Sequence, residues 1–537
     1  MSILGTRVVR TEDPRLLTEG GVYTDDLRIP ELDGAARITF VRSPIAHARI
    51  TGIDTETALD SPGVVAVLTA ADMDDLPAGD GRPTTEPLLA ADRVRYVGEA
   101  VAIVLTEQGY QGEDAAELVS VDYEPLPAVV DFDDALAGGT LLFDGTDTNV
   151  IAAGGGPAPP GAFGGCEVVL QRTFPNQRLA ALPLEGRAAA ARWADGRLTL
   201  WASTQNAQLA RDALAAAAGL DAAAVRVIAP DVGGGFGAKI AAERDTIIVA
   251  WAAKHTGRPV RWVETRNENL LGMVHGRAQR HTVTIGGTRD GSILAYHLDI
   301  VQDSGAYPRG ATFPPGLTQL MASGVYDLSY CGAAFRSVLT TTTPIGAYRG
   351  AGRPEATAAI ERAVDLFAAE IGMDPAEVRR RNVVAPGKFP HTTASGAVYD
   401  TGEYAATRDA VLAGAGVLNP VLAEGQRHGG IAQGAAQALL EEVLYDAEGN
   451  PLTSTLADYA AITATELASF ELLAMETPTT MNALGVKGIG EAGTIGATPA
   501  VHNAVIDAVA HLGVRHIDMP TTPRRVWAAI NEAKGSV

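Results

Sequence analysis

A ten-residue run, Ala152-Ala153-Gly154-Gly155-Gly156-Pro157-Ala158-Pro159-Pro160-Gly161, constrains the architecture of this chain more than any other feature. Proline removes an amide donor and glycine removes the side chain, so such a run continues neither a helix nor a central strand. It is read as part of an interdomain linker over 151–165, with one domain at 1–150 before it. A chain of 537 residues also exceeds what one core serves, so several folded units are expected.

Hydrophobic residues make up 46% and charged residues 20%, the balance of a soluble globular protein. A formal net charge of −22 argues against a nucleic-acid partner, which needs a basic face. Cys166 and Cys331 are the two cysteines. They build no disulfide framework or thiolate zinc site, and they are too few for an iron–sulfur cluster, which commonly takes four. The chain reaches Asp13 and Pro14 before any apolar run, so no signal peptide is expected. No stretch has the length and apolar purity of a membrane span, and a cytoplasmic location is the expectation.

Between 36 and 131, segments 37–41, 48–53, 64–68, 100–105 and 119–123 read as strands and 113–118 as a helix. This first unit holds no cluster of His, Cys or paired acids, and reads as structural or docking. Beyond the linker, strands at 197–201 and 225–228 flank a helix capped by Ser203-Thr204-Gln205-Asn206. Strands at 282–285, 293–300 and 337–342 follow. Helices at 243–254, 355–371, 404–415, 431–444, 500–512 and 524–533 complete a mixed α/β (α+β) pattern.

Three motifs carry candidate chemistry. Gly485-Val486-Lys487-Gly488-Ile489-Gly490-Glu491-Ala492-Gly493 holds one carboxylate among four glycines, which lets the backbone bring an acid close to a bulky group. A solvated turn with a surface glutamate is the plainer reading. Asp231-Val232-Gly233-Gly234-Gly235-Phe236-Gly237 follows a strand and precedes a helix, an arrangement that suits an anion or a ligand-free packed turn equally. Gly346-Ala347-Tyr348-Arg349-Gly350-Ala351-Gly352-Arg353-Pro354 places two arginines and a tyrosine among small residues, for a polar ligand or for a helix start with surface arginines. His428 has no partner at ligand spacing and reads as structural. Gly488-x-Gly490-x-x-Gly493 fits a dinucleotide fingerprint, but the residues before it read as loop instead of the strand that fingerprint needs.

In their order along the chain, these motifs resemble the molybdenum-cofactor-binding large subunits of the xanthine dehydrogenase, aldehyde oxidase and aerobic carbon monoxide dehydrogenase family. Gly5-Thr6-Arg7, Arg10-x-Glu12-Asp13, Tyr23-Thr24-Asp25-Asp26 and Ser43-Pro44-x-Ala46-His47-Ala48 are similar to its N-terminal hammerhead domain. Thr204-Gln205, Gly233–Gly237 and Ala347–Arg353 are similar to a first molybdopterin-binding domain at 166–415. Asn419-Pro420, Gly425-Gln426 and Lys487–Glu491 are similar to a second, partial one at 416–537.

The resemblance implies molybdopterin cytosine dinucleotide as cofactor, with no protein ligand to the metal. It implies Glu491 as the general base of a hydroxylation that uses water as oxygen source. Gln205 is then a donor beside the metal. Gly233, Gly234, Gly235, Phe236, Gly237, Gln426, Lys487, Gly488 and Gly490 contact the pterin or its phosphates, and Arg349 lines the substrate pocket. Electrons leave through a small subunit with 2Fe–2S clusters and a medium subunit that binds FAD, in an assembly of the dimer-of-heterotrimers kind.

Two departures stand out. The carbon-monoxide-oxidising branch carries a copper-binding cysteine directly after the turn arginine, where this chain has Gly350, so a small-molecule aldehyde or N-heterocycle is the expected substrate. Between about 413 and 418 the family has a further block with a Gly-Gln-Gly loop, a tripeptide this sequence lacks. A cofactor-poor, catalytically silent assembly subunit of the same fold is therefore the alternative.

Overall fold

The computed structural model describes residues 6–77, 81–240, 242–309, 312–404, 419–473 and 477–535. Two sheets organise them. The larger has seven strands, ordered Val225–Ile228, Arg197–Ala202, Ala188–Ala194, Val260–Val263, Ala36–Arg42, Ala100–Thr106 and Val64–Thr69. Ala36 and Arg37 pair in parallel with Val260 and Arg261, so strands from the N-terminal hundred residues and from 188–263 share one sheet. Every residue of Ala100–Thr106 is buried, as its unbroken apolar run predicts for a strand covered on both faces.

Buried charge closes this seam. Arg187 donates to Glu264 at 2.8 Å and pairs with Asp245 at 2.7 Å, while Arg42 bonds Asp245 at 3.1 Å and Glu268 at 2.9 Å. Burial works against the Asp245 charge, yet Arg42 and Arg187 hold its carboxyl well below the usual range. Removing one partner would leave an uncompensated buried charge, which costs about 3–5 kcal/mol.

The second sheet has five strands, ordered Val150–Gly155, Tyr330–Val338, Ile293–Asp303, His275–Gly287 and Val168–Ala180. The 152–161 run therefore does not begin as linker. Its first residues form an edge strand, where Ala152 to Gly155 pair antiparallel with Ser337 to Ala334. An edge position tolerates glycine, and Gly154 is required there because a Cβ would stand 2.4 Å from the Phe335 ring. The 337–342 strand is also displaced: pairing ends at Val338, and Thr340 to Thr343 form a buried turn in which Thr340 and Thr342 bond each other at 2.7 Å.

Helix Arg353–Ile371 packs on the five-stranded sheet, with Pro354 in its first turn and Gly372 in the left-handed region at its end. Two helices begin earlier than the sequence pattern indicates. One spans Pro420–Leu439 instead of starting at 431, and the other spans Ala492–Ala510 instead of starting at 500. Glycines that lower helix propensity are what allow these two to touch. A Cβ on Gly430 would meet Gly493 Cα at 3.0 Å, and one on Gly434 would meet Ala497 Cβ at 2.8 Å. The proposed 404–415 helix, the 413–418 junction and the 415/416 boundary lie largely outside the described residues.

Candidate active site

A cleft of about 1190 Å³ is bounded by the glycine loop, the Ala347–Arg353 turn, and Gln426, Gly490 and Glu491. Ligand pockets usually measure 300–1,000 Å³, so this one has room for a cofactor together with a substrate.

The glycine loop owes its shape to left-handed backbone at Gly234 (φ +97°), Phe236 (+54°) and Gly237 (+101°). A Cβ on Gly235 would stand 2.4 Å from Gln205 Oε1, and one on Gly237 would stand 2.7 Å from the Ala347 carbonyl oxygen. The Gly237 and Lys239 amides donate to Gln205 Oε1 at 2.8 and 3.3 Å. That ties the carbonyl end of Gln205 to the loop and leaves its NH₂ end as the donor available to the cleft. The amides of Gly234, Gly235 and Phe236 have no hydrogen-bond partner among the described residues, which makes the loop an open cradle of donors.

Glu491 is the residue immediately before helix Ala492–Ala510, so its carboxylate sits at the positive end of that helix dipole. Its Oε1 accepts from the Gly350 amide at 3.0 Å, and its Oε2 lies 3.5 Å from Arg353 Nη1. The side chain is 50% exposed.

Arg349 does not act as a pocket-lining cation alone. Its Nε donates to the Gly490 carbonyl at 2.5 Å, Nη1 to Gln433 Oε1 at 2.9 Å, and Nη2 to Gln426 at 3.1 and 2.9 Å. The guanidinium is thereby spent on joining the turn to helix Pro420–Leu439 and to the Glu491 segment. Burial depresses its basicity. Behind the turn, fully buried Arg277 donates to the carbonyls of Tyr348 and Arg349 at 3.1 and 2.8 Å.

The structure thus brings Gln205, Gly234, Gly235, Phe236, Gly237, Arg349, Gln426, Gly490 and Glu491 to one cleft. Gly233, Lys487 and Gly488 are outside its lining. The Gly233 amide donates to Glu185 Oε2 at 2.7 Å. Lys487 Nζ is bonded to Thr401 Oγ1 at 2.7 Å and Thr477 Oγ1 at 3.2 Å, with Asp400 at 3.6 Å. A helix does open beside Gly493, as a dinucleotide fingerprint requires, but no described strand precedes it.

Sequence reading missed a wall. Arg10, Glu12, Leu16 and Tyr23 line the cleft, in a segment anchored where Arg15 grips Asp231 through two bonds of 2.8 and 2.9 Å. Arg10, Glu12 and Tyr23 belonged to the motifs that suggested the hammerhead, and that was the available signal. Phe313 and Leu317 on helix Phe313–Leu320 carried none.

Among the described residues no group of three His, Cys, Asp or Glu is arranged to hold a metal. The donor set of free amides, a carboxamide and a helix N-terminus suits a polar, anionic organic molecule. Comparison with known proteins agrees. Residues 142–383 match the model of a molybdopterin cofactor-binding domain, and 398–468 match that of a second such domain. Residues 18–127 match the aldehyde oxidase and xanthine dehydrogenase a/b hammerhead domain. The chain belongs to the family of molybdenum-cofactor-binding large subunits that includes xanthine dehydrogenase, aldehyde oxidase and carbon monoxide dehydrogenase. It is 38% identical over 428 residues to the nicotine 6-hydroxylase large subunit of Paenarthrobacter nicotinovorans, covering 76% of this chain and 52% of that one. To the carbon monoxide dehydrogenase large chain of Hydrogenophaga pseudoflava it is 34% identical over 428 residues, covering 74% and 52%. The chain thus spans about half the length of these relatives. The crystal structure of quinoline 2-oxidoreductase from Pseudomonas putida 86 superposes with a TM-score of 0.93 at 26% identity, covering 99% of this chain and 98% of that one.

Proposed function

We propose that the chain is the large catalytic subunit of a molybdenum hydroxylase that oxidises an aldehyde or N-heterocycle with water as oxygen source. The observation that carries this reading is the convergence of Gln205, the glycine loop and Glu491 on one cleft. When bound, the molybdenum cofactor, as its cytosine dinucleotide, supplies a Lewis acid that activates water and takes up two electrons from the substrate. The amides of Gly234, Gly235 and Phe236 would hold its anionic groups, and the Gln205 NH₂ would donate to it. Glu491 takes the proton. Gly350 fixes Oε1, so Oε2, whose hydrogen-bond partner among the described residues is Arg353 alone, is the oxygen that receives it. Its cysteines, Cys166 and Cys331, are too few for a cluster, so electrons pass to a 2Fe–2S subunit and an FAD-binding subunit.

One observation favours the second reading, a cofactor-poor assembly subunit: Lys487 is engaged with Thr401 and Thr477 away from the cleft. One experiment separates the two. The chain is expressed with its partner subunits, then assayed for molybdenum and for dye reduction by quinoline and benzaldehyde. Near-stoichiometric molybdenum with substrate-dependent reduction supports the hydroxylase. Little molybdenum, recovered together with activity when a relative's block is inserted between Gly414 and Leu418, supports the silent form.

A further inference from the structure

The turn that holds Glu491 carries two arginines, and the structure gives them different work. Every side-chain nitrogen of Arg349 is bonded to protein acceptors. Arg353 is otherwise placed. Among the described residues only its Nη1 is engaged, with the Gly350 carbonyl at 3.1 Å and more loosely with Glu491 Oε2 at 3.5 Å. Its Nε and Nη2 have no hydrogen-bond partner among the described residues, its side chain is 36% exposed, and it lines the cleft.

An apolar surface stands next to it. Helix Phe313–Leu320 runs so close to the turn that a Cβ on Gly352 would meet Leu317 Cβ at 2.7 Å and the Pro314 carbonyl oxygen at 2.4 Å. Phe313 and Leu317 face the same cleft, and Phe313 is 54% exposed. A planar cation with open donors therefore lies between an apolar wall and the proposed base. The Glu491 carboxylate beside it offsets its charge and repels a second carboxylate, so a neutral acceptor is the favoured occupant of the open donors.

We infer that Arg353 determines substrate specificity: it donates to a neutral hydrogen-bond acceptor, a carbonyl oxygen or ring nitrogen, on a substrate whose ring lies against Phe313 and Leu317. This role rests on the proposed reading of the cleft as the substrate-binding site of a hydroxylase.

The test needs no turnover. The full chain, as wild type, R353M and R353K, is titrated with benzamide, toluene and benzoate by ligand-observed NMR, with the Arg353 Nε–H resonance followed in the wild type. Benzamide is expected to bind R353M about tenfold more weakly than wild type, the scale of a hydrogen bond to a charged group, with toluene unchanged within twofold. Benzoate is expected to bind wild type more weakly than benzamide, and only the acceptor-bearing ligands should move the Arg353 resonance. Equal loss of toluene and benzamide in R353M would make Arg353 a mere wall, and unchanged benzamide binding would remove it from recognition; either overturns the inference. Should R353M melt early, the benzamide-to-toluene affinity ratio in R353K decides: a fall of threefold or more supports the role, an unchanged ratio refutes it. If these shifts appear while E491Q retains turnover, Arg353 keeps its role and the base assignment fails instead.

Discussion

Gly350 and Glu491 lie 141 positions apart in the chain and share one hydrogen bond, from the Gly350 amide to Glu491 Oε1 at 3.0 Å. The bond depends on a backbone only glycine adopts easily. Gly350 has φ +94°, and a Cβ there would stand 2.5 Å from Pro354 Cγ and 3.3 Å from Ile495 Cγ1. Replacing it with alanine should cost on the order of 1–3 kcal/mol in chemical denaturation. It should also turn the Glu491 carboxylate away from its present place, visible in a crystal structure of the variant.

Glu491→Gln keeps the shape of the side chain and removes its ability to accept a proton. Turnover should fall by about 10²–10⁴ with molybdenum content unchanged. Steady-state kinetics within threefold of the parent would rule Glu491 out as the base.

Glu441 gives a pH signature of its own. Burial raises its carboxyl from 4.5 to about 7, against the pull of a hydrogen bond from Tyr459 at 3.2 Å. Between those two values the folded chain holds a proton that the unfolded chain has released, so stability falls as pH rises from about 4.5 through about 7 and then levels off. Glu441→Gln should flatten that window and, at pH 8, stabilise the fold by on the order of 1–3 kcal/mol, read from denaturant midpoints.

Gly350 offers no thiolate at the position where resemblance to the carbon-monoxide-oxidising branch would place a copper-binding cysteine. The purified complex should contain no stoichiometric copper by elemental analysis, and carbon monoxide should not reduce it. Copper-dependent oxidation of carbon monoxide would contradict the substrate class proposed above.

The sequence was legible where local rules govern. Alternating apolar residues marked Ala36–Arg42, a short apolar run marked Val64–Thr69, and Asn206 announced the helix at Ala207–Ala218 by capping it at the Leu209 amide. It was illegible where a residue serves a distant partner. Gly425, Gly429 and Gly430 hide the first turns of helix Pro420–Leu439 from propensity, and the value of Gly430, like that of Gly434, lies in the approach of a second helix. Arg349 and Arg353 read alike as exposed cations. Which of them is saturated depends on Gln426, Gln433 and Gly490, residues that spacing cannot bring together.

The parallel pairing of Ala36 and Arg37 with Val260 and Arg261 bears on any attempt to dissect this protein. A fragment ending near residue 140 would leave the strand edge at Ala36 and Arg37 without its partner, and the remainder would leave Val260 and Arg261 without theirs. Bare edges of this kind recruit other chains, so each piece made alone should form aggregates. Made together in one cell, the same two pieces have complementary edges and a shared set of buried ion pairs, which is the basis for a split protein that reassembles on co-expression.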